Sequence, residues 1–472
     1  MERPILRRGG TVRCQIPPMT LPTSLCLLLG LSLSVSARQV HVSPAGTSAG
    51  AGTSASPLDV RTALTNAKAG DTIQMAGGKY AISYKTATAN TILCATKATQ
   101  ASPIVVQAPM GQTATLDFQF AKDDWVQDGF GLSLTGNWWT FRRIAITRAG
   151  YQGVYVTGSN NTFEHCAFYE NRNSGIEINK GGSYTTLRYC DAYRNYDPKK
   201  LGTMADGFAP KQTQGPGNRL IGCRAWENSD DGYDAFDSPE VVTFDSCWAF
   251  RNGIDVMGWG AVGNGNGFKV GGNGAVAPNI LRHCVAFGNP KKGFDQNNNL
   301  GAITLLNCTG YLNGTYDFAF GTAPTSGKHV VRNCVSYKSQ TSFASGTTQE
   351  KNSWNLGLSL ANSDFESLDT SLARVARNPD GTLPVTKLLF PSAGSKLLDK
   401  GAALAWSYVG SAPDLGAFER GAATGVEVRA AAARTAASSR PTVRVRNGWT
   451  DLPGGHDLLG RHGPVAPGWT VP

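Results

Sequence analysis

The chain has 472 residues, a formal net charge of +10 and 56 glycines, and only 17 % of its residues are charged. So low a charged fraction excludes a coiled coil and a disordered chain kept open by charge. Residues 38–420 carry only +4 of the net charge and contain no concentrated basic stripe, so we expect no nucleic-acid partner.

The first 37 residues have the order of a secretory signal peptide. Four arginines precede an apolar run of 11 residues at 25–35, and small residues follow at 35–37. The run is too short for a membrane span, which needs about 20 apolar residues. We therefore predict that 1–37 is a signal peptide, that the protein is secreted, and that it has no membrane partner after the signal is removed.

A short amphipathic helix is predicted over 57–68, where Leu58, Val60 and Leu64 are the apolar positions. The end of a repeat array must be covered, and we expect this helix to cap the N-terminal end of the repeats. The segment 70–80 is then expected to form the start of the first coil, and the last coil-like segment is expected at 413–420.

An internal repeat is organised around seven cysteines. An aromatic residue lies three positions after every cysteine, an asparagine five positions after six of them, and a large apolar residue three positions before each. The spacings are 24, 33, 24, 37, 24 and 26 residues. The cysteines are Cys166, Cys190, Cys223, Cys247, Cys284, Cys308 and Cys334.

A period near 24 with short alternating strands predicts one coil of a parallel β-helix, in which each coil buries its core against its neighbours. Equivalent positions then stack about 4.8 Å apart in rows of cysteine, asparagine and aromatic side chains. That spacing is longer than the Cβ–Cβ distance of a disulfide, so we expect the cysteines to be buried free thiols.

The repeat is interrupted twice, after Cys190 and after Cys247. In regular coils a glycine follows the cysteine by nine positions, whereas Gly207 follows by 17 and Gly267 by 20. Loops inserted into a solenoid tend to lie on one face, which is often the binding face. The two long coils flank the coil that carries Gly232, and we therefore predict a cleft there.

Four aspartates occur next to these glycines. Strand alternation makes the residue two after each glycine point outward, which gives a row in which Lys269 follows Asp234. Asp206 and Asp231 directly precede their glycines and are expected one coil apart, with Asp230 beside them. Several carboxylates this close cannot all be ionised without a counter-ion, and oxygen ligands of this kind suit Ca²⁺.

Each of these residues taken alone has an ordinary explanation as a turn or surface residue. Lys211 could bind an anion such as the substrate, although a solvated surface position is the simpler reading, and Arg251 is the nearest arginine that could assist. We expect Glu177, Asp237 and Asp295 to be surface residues. Residues 421–472 are rich in alanine, arginine and serine and are predicted to be a disordered tail.

At these residues the chain resembles polysaccharide lyase family 9, the pectate lyases. The resemblance is carried by ADGFAPK (205–211), NSDDGYDAFD (228–237) and NGFKVGG (266–272). It covers about 100–420 and implies an all-β fold, a single-stranded right-handed parallel β-helix. With the capping helix at its start, this domain is predicted over 38–420. The resemblance also implies Ca²⁺-dependent β-elimination of polygalacturonate, with Lys269 as base and Asp206, Asp230, Asp231 and Asp234 as metal ligands.

A lysine base must be unprotonated, and nearby carboxylates oppose this, whereas a bound Ca²⁺ favours it. We therefore expect an alkaline pH optimum and a monomeric enzyme whose partner is an acidic polysaccharide. Three alternatives remain open: a β-helix that binds polysaccharide without catalysis, a lyase for another uronate polymer, and a hydrolase with paired carboxylates.

Overall fold

The computed structural model describes residues 38–82 and 91–421, and these form a parallel β-helix of three sheets. One coil contributes one strand to each sheet in the order I, II, III. Sheet I has twelve strands in the described residues, and sheets II and III have ten each. The predicted signal peptide and all but the first residue of the predicted tail lie outside the described residues.

Sheet I consists of Gln39–Thr47, Thr72–Met75, Ile104–Gln107, Trp139–Arg142, Thr162–Glu164, Thr186–Arg188, Asn218–Ile221, Val242–Asp245, Ile280–Arg282, Thr304–Leu306, Val330–Arg332 and Thr348–Glu350. Sheet II consists of Gly78–Ala81, Ala114–Asp117, Ile144–Thr147, Ala167–Tyr169, Asp191–Tyr193, Arg224–Trp226, Trp248–Phe250, Val285–Phe287, Thr309–Tyr311 and Val335–Tyr337. Sheet III consists of Ile92–Cys94, Leu132–Leu134, Val154–Val156, Ile176–Ile178, Phe208–Pro210, Tyr233–Asp234, Phe268–Lys269, Lys292–Asp295, Tyr316–Phe320 and Gln340–Phe343.

The predicted capping helix is present as Val60–Thr65. It begins after Asp59, whose carboxylate accepts a hydrogen bond from the Thr62 N–H at 2.9 Å, because the first N–H groups of a helix have no partner within it. The helix packs against the first strands of sheets I and III, which confirms its position at the N-terminal end. Short 3₁₀ turns occur at Pro198–Lys200, Asn362–Asp364 and Thr370–Arg374.

The interior consists of stacked rows, as the repeat predicts. All eight cysteines within the described ranges are buried and free, which confirms the expected thiols. In sheet III, the residue that directly follows the glycine of each coil points into the interior. Adjacent rings of Phe208, Tyr233, Phe268 and Phe294 stack with centroids 4.4–5.2 Å apart.

The asparagine row, here called the asparagine ladder, is Asn171, Asn195, Asn228, Asn252, Asn289 and Asn313. The side-chain Nδ2 of each of the first five donates to the Oδ1 of the asparagine in the next coil at 2.8–3.1 Å. An amide has both a donor and acceptors, so a row of amides satisfies itself. The ladder lies in the turn between sheets II and III, where buried backbone groups would otherwise lack partners.

The two ends of the solenoid differ from the sequence-based expectation. A strand missed by the repeat, Gln39–Thr47, precedes the helix and pairs in parallel with Thr72–Met75. At the other end the strands stop at Glu350 rather than near 420. Leu388, Leu397 and Leu415 of the segment 351–421 instead pack against the outer face of sheet II, where they contact the row that includes Phe250 and Phe287. Among the described residues, no helix is long and apolar enough to cross a membrane.

Both insertions lie between a strand of sheet II and the following strand of sheet III. The first inserted loop is residues 196–206 and the second is 253–266. The Tyr196 and Trp259 rings stack in parallel with centroids 5.0 Å apart, so the two loops pack on each other. They therefore form one wall beside the outer face of sheet III at the coil that carries Gly232.

Candidate active site

The outward row of sheet III has the predicted register. Glu177 lies beside Ala209, Asp234 beside Lys269, and Lys269 beside Asp295. The inward residues of the same strands are fixed by the stacked aromatic rings of the core, so the outward side chains cannot exchange faces without moving those rings. The core therefore positions Asp234 and Lys269 on neighbouring coils of one exterior face.

The residues that precede the glycines form a second row, which runs along the edge of sheet III. The Ser174 hydroxyl donates to Asp206 Oδ2 at 3.1 Å, and the Asp231 N–H donates to Asp206 Oδ1 at 3.3 Å. Asp231 Oδ1 accepts from the backbone N–H of Asn266 at 2.8 Å and from its side-chain amide at 2.9 Å. These bonds fix both carboxylates from neighbouring coils.

The two rows meet in a buried cluster of three carboxylates, Asp206, Asp231 and Asp234, here called the aspartate cluster. Each offers one oxygen, and these oxygens all lie within 4.8 Å of one another. Two lysines compensate their charge. Lys211 Nζ lies 2.8 Å from Asp206 Oδ2 and 3.3 Å from Asp234 Oδ2, and Lys269 Nζ lies 3.2 Å from Asp231 Oδ2 and 3.5 Å from Asp234 Oδ1.

Asp230 is buried next to the cluster but has different partners. Its Oδ1 accepts a hydrogen bond from the Asn264 N–H at 2.6 Å, and its Oδ2 accepts one from the Met204 N–H at 2.8 Å. The two amides belong to the two inserted loops, so one carboxylate joins both loops. Asp230 does not supply an oxygen to the set within 4.8 Å, and its predicted role as a metal ligand stays a prediction.

Burial and neighbouring charges give the carboxylates of the site different pKa values. Burial raises the pKa of Asp231 well above its ordinary value, with the charge of Asp230 adding to the effect. Burial and the charge of Asp206 raise the pKa of Asp234 to about 6. Burial acts on Asp206 in the same direction, but Lys211 and Lys269 hold the pKa of that carboxyl below its ordinary value. The site therefore contains more negative charge than its two lysines stabilise.

Lys269 is held in its protonated form in this arrangement. Burial alone would lower its pKa, but the charges of Asp234 and Asp231 more than offset burial and raise it. Its ammonium also lies over the Phe236 ring, 5.1 Å from the centroid, an attractive cation–π contact. A base at this position requires another positive charge at the aspartate cluster.

The cluster fits a hard divalent cation. Asp231 Oδ2 is buried and accepts no hydrogen bond from the described residues, although the Lys269 ammonium is near. A buried oxygen without a donor costs free energy, and coordination of a cation would remove that cost. Three carboxylates on an exterior face supply oxygen ligands of the kind that Ca²⁺ takes, six to eight in total with water and substrate.

Three exposure expectations are wrong. Lys211 is 3 % exposed rather than solvated, because its ammonium reaches two carboxylates. Glu177 is buried because the amides of Gln152 and Asn179 donate to it at 2.8 Å. Asp295 is also buried, and Lys292 lies 3.0 Å away as its counter-ion.

Arg251 is not brought to the cluster. Its side chain donates to Glu227 at 3.3 Å at the end of a sheet II strand, and Arg374 of the C-terminal segment contacts the same carboxylate at 2.8 Å. The position on sheet II explains this placement, because the asparagine ladder separates that sheet from sheet III. Substrate binding by Arg251 and by Lys211 stays a prediction.

Sequence reasoning gave no role to three side chains that shape the site, Ser174, Asn266 and Phe236. The signal for Ser174 and Asn266 was present, because both precede the glycine of their coil and so occupy the row of Asp206 and Asp231. Phe236 lies two residues after Asp234, on the same face by strand alternation, and its ring could have been expected near a neighbouring lysine.

Comparisons with known proteins identify the family of the chain. The model of the Pel9A-like right-handed β-helix region matches residues 40–352. The chain is similar to Pectate lyase L of Dickeya dadantii (strain 3937), with 50 % identity over 395 residues that cover 83 % of this chain and 92 % of the relative. It is also 31 % identical over 418 residues to Pectate lyase PEL9 of Emericella nidulans, covering 81 % of this chain and 99 % of that protein.

Solved structures show the same fold. Pectate lyase Pel9A superposes with a TM-score of 0.78 at 51 % identity, covering 81 % of this chain and 96 % of that one. A rhamnogalacturonan lyase superposes with a TM-score of 0.64 at 23 % identity and shares the fold. The family model confirms the right-handed sense predicted for the solenoid. The chain therefore belongs to the Pel9A-like right-handed β-helix family, the pectate lyases of polysaccharide lyase family 9.

Proposed function

We propose that this protein is a secreted Ca²⁺-dependent pectate lyase that cleaves polygalacturonate by β-elimination, with Lys269 as the base. The observation that carries the proposal is the contact between Lys269 Nζ and the buried Asp231 Oδ2 at 3.2 Å. It combines a candidate base with a buried carboxylate oxygen that has no other donor among the described residues, on the face flanked by the inserted loops. The pectate lyases to which the chain is similar support the substrate class.

The reaction removes the proton on the carbon next to a uronate carboxylate. Lys269 accepts this proton, and the electron pair left on carbon forms a carbon–carbon double bond. The glycosidic oxygen at the neighbouring carbon leaves with the electron pair of the broken carbon–oxygen bond and takes up a proton from solvent, to which Lys269 later returns the proton that it accepted. The products are a saturated chain with a new reducing end and a chain with an unsaturated sugar. No water is consumed, and this distinguishes the reaction from hydrolysis.

Asp206, Asp231 and Asp234 would hold the Ca²⁺, with Asp230 as a further candidate ligand. When bound, Ca²⁺ would offset the negative charge of the substrate carboxylate and of the enolate-like state that forms from it. Lys269 is placed to act because it lies one coil from Asp234, on the same outward row. The Phe236 ring covers the ammonium and reduces its contact with water.

The proposal is tested by incubating the purified protein with polygalacturonate at alkaline pH and measuring the ultraviolet absorbance of the unsaturated product. Parallel samples contain a Ca²⁺ chelator or the variant Lys269→Met, which keeps the length of the side chain. The matched control is Lys292→Met, since Lys292 lies on the neighbouring strand of the same sheet but pairs with Asp295.

We expect absorbance only with Ca²⁺ and an intact Lys269, and we expect the Lys292 variant to behave as the parent. If no unsaturated product forms but new reducing ends appear, the protein is a hydrolase. Absence of both, with retained polymer binding, would show a binding protein. Unsaturated product from Lys269→Met at the parent rate would assign the base to another residue.

Secretion rests on the order of charges and apolar residues in 1–37. It is tested by expressing the full chain and sequencing the N-terminus of protein recovered from outside the cytoplasm. We expect a start near residue 38. A mature protein that retains the apolar run 25–35 would overturn this part of the proposal.

A further inference from the structure

A buried lysine lies among the carboxylates of the site. Lys211 follows the strand Phe208–Pro210, and its side chain is 3 % exposed. Its ammonium contacts two of the three clustered carboxylates, Asp206 at 2.8 Å and Asp234 at 3.3 Å. Lysine is almost never fully buried unless it is paired, so these two contacts are what hold it there. With so little exposed surface, Lys211 presents almost nothing to a polysaccharide.

The two lysines of the site differ in what they contact. Lys211 joins Asp206 to Asp234, and these residues come from neighbouring coils, whereas Lys269 contacts Asp231 and Asp234. Lys269 is also the more exposed of the two, at 10 %, and is the proposed base. A base must be neutral when it takes the proton from the substrate, so Lys269 cannot be the permanent counter-ion of the cluster. Lys211 is placed to be that counter-ion.

The neighbouring residue Ala209 fits this role. Strand alternation puts Ala209 and Lys211 on the same outward face, and Asp206 lies three residues before Ala209. The Lys211 ammonium lies 2.8 Å from Asp206, although position 209 is between the two residues along the chain. Ala209 points outward and is nevertheless only 1 % exposed, as expected when a longer side chain crosses it. A larger residue at 209 would obstruct that side chain.

We propose that Lys211 is a built-in counter-ion that holds Asp206 and Asp234 in position when no calcium is bound, and that it is not a substrate-binding residue. The proposal rests on the proposed function in treating the aspartate cluster as the metal site. Without Lys211, Asp206 and Asp234 would repel each other across neighbouring coils, and a bound divalent cation would be needed to relieve that repulsion. Lys211 is thus a positioning residue of the metal site.

The test compares the parent chain with Lys211→Met, which removes the charge and keeps most of the apolar stem. The melting temperature is measured by circular dichroism in chelator and in excess CaCl₂, and Ca²⁺ binding is measured by calorimetry. We expect the variant to melt at least about 5 °C lower in chelator. We expect the increase in melting temperature caused by CaCl₂ to be at least twice that of the parent.

Lys292→Met is the matched control, because Lys292 pairs with Asp295 at 3.0 Å on the same sheet without contacting the cluster. We expect its response to CaCl₂ to equal that of the parent. Equal melting temperatures of parent and Lys211→Met in chelator would overturn the proposal. A variant with a raised KM for polygalacturonate, an unchanged kcat and an unchanged response to CaCl₂ would also overturn it and would assign Lys211 to substrate binding.

A double variant keeps the test decisive if Lys211→Met does not fold in chelator. Lys211→Met combined with Asp206→Asn removes one positive and one negative charge from the same contact, so we expect it to melt higher in chelator than the single variant. A double variant no more stable than the single one would contradict the counter-ion role. This comparison needs no metal, so it remains valid even if the parent binds no Ca²⁺, an outcome that would instead count against the proposed function.

Discussion

The asparagine ladder and the aspartate cluster are both sets of buried polar side chains that connect neighbouring coils, and Asn228 and Asp231 are only three residues apart. In the ladder each amide donates to the next at 2.8–3.1 Å, and the row is neutral at any length. Carboxylates have acceptors only, so a row of them accumulates charge and cannot satisfy itself. The ladder is therefore a structural element, whereas the aspartate cluster requires positive charge beside it.

Two lysines bring positive charge to the aspartate cluster. Lys269 belongs to a strand of sheet III and Lys211 directly follows one. The Lys269 ammonium lies 3.2 Å from the buried Asp231 Oδ2, which has no other donor among the described residues. The two inserted loops lie beside this cluster, where they supply backbone N–H groups to Asp230. Replacing an aspartate of the cluster by asparagine is therefore the direct test of whether the carboxylate charge matters there.

The largest expected effect comes from making one aspartate resemble the ladder. Asp231→Asn replaces a carboxylate of the cluster by a neutral amide, which removes a negative charge and one oxygen ligand. We therefore expect kcat/KM on polygalacturonate to fall by more than about 100-fold and Ca²⁺ affinity to fall with it. Steady-state kinetics and calorimetry measure both. Asp295→Asn, on the same outward row, is the control, and an equal loss in both variants would contradict a specific role for Asp231.

The next prediction concerns the one carboxylate that terminates the ladder. Asn313 donates to Asp317 Oδ1 at 2.7 Å, and Ser336 donates to Oδ2 at 2.7 Å. Burial raises the pKa of Asp317 to about 7 in spite of these hydrogen bonds. Between about pH 4 and about pH 7 the folded protein retains the proton that the unfolded chain loses, so the free energy of unfolding falls as pH rises.

The expected contribution is at most about 4 kcal/mol over this window. It is measured as the difference in melting temperature between the parent and Asp317→Asn across the same pH series. The variant should lose less stability than the parent as pH rises. Parallel pH curves for the two proteins would show that Asp317 does not carry this dependence.

Breaking the ladder itself should reduce stability without a specific effect on the metal. Asn252 is fully buried and exchanges side-chain hydrogen bonds with both Asn228 and Asn289. Asn252→Ala leaves these amides partly unpaired, and we expect a loss of about 3 kcal/mol in the free energy of unfolding. Chemical denaturation measures it, with Asn264→Ala as the control because that side chain is exposed. A loss of similar size in the control would remove the distinction.

The smallest effect is expected at the inserted loops. Asp230→Ala removes the carboxylate that joins Met204 to Asn264, so hydrogen exchange at these two amides should accelerate by at least about tenfold. Exchange in the asparagine ladder should be unchanged and is the internal control. Calorimetry on the same variant tests Ca²⁺ ligation separately: unchanged affinity would limit Asp230 to holding the loops, and unchanged exchange would limit it to the metal.

The sequence by itself determined the repeating features. A fixed interval of about 24 residues brings equivalent positions into contact, so the cysteine row, the asparagine ladder, the inward aromatic rings and the neighbouring placement of Asp234 and Lys269 all followed from spacing and alternation. Positions of this kind can be predicted because stacking repeats the same environment in every coil.

Only the tertiary structure decided what does not repeat. The lengths of the inserted loops did not predict that Asp230 would accept from both, and the position of Lys211 at the end of a strand did not predict its burial between two carboxylates. The segment 351–421 covers sheet II through contacts distant in sequence, and the strand Gln39–Thr47 lies outside the cysteine repeat. Such contacts join residues that are distant in sequence and do not recur from coil to coil. Residue spacing therefore does not predict them.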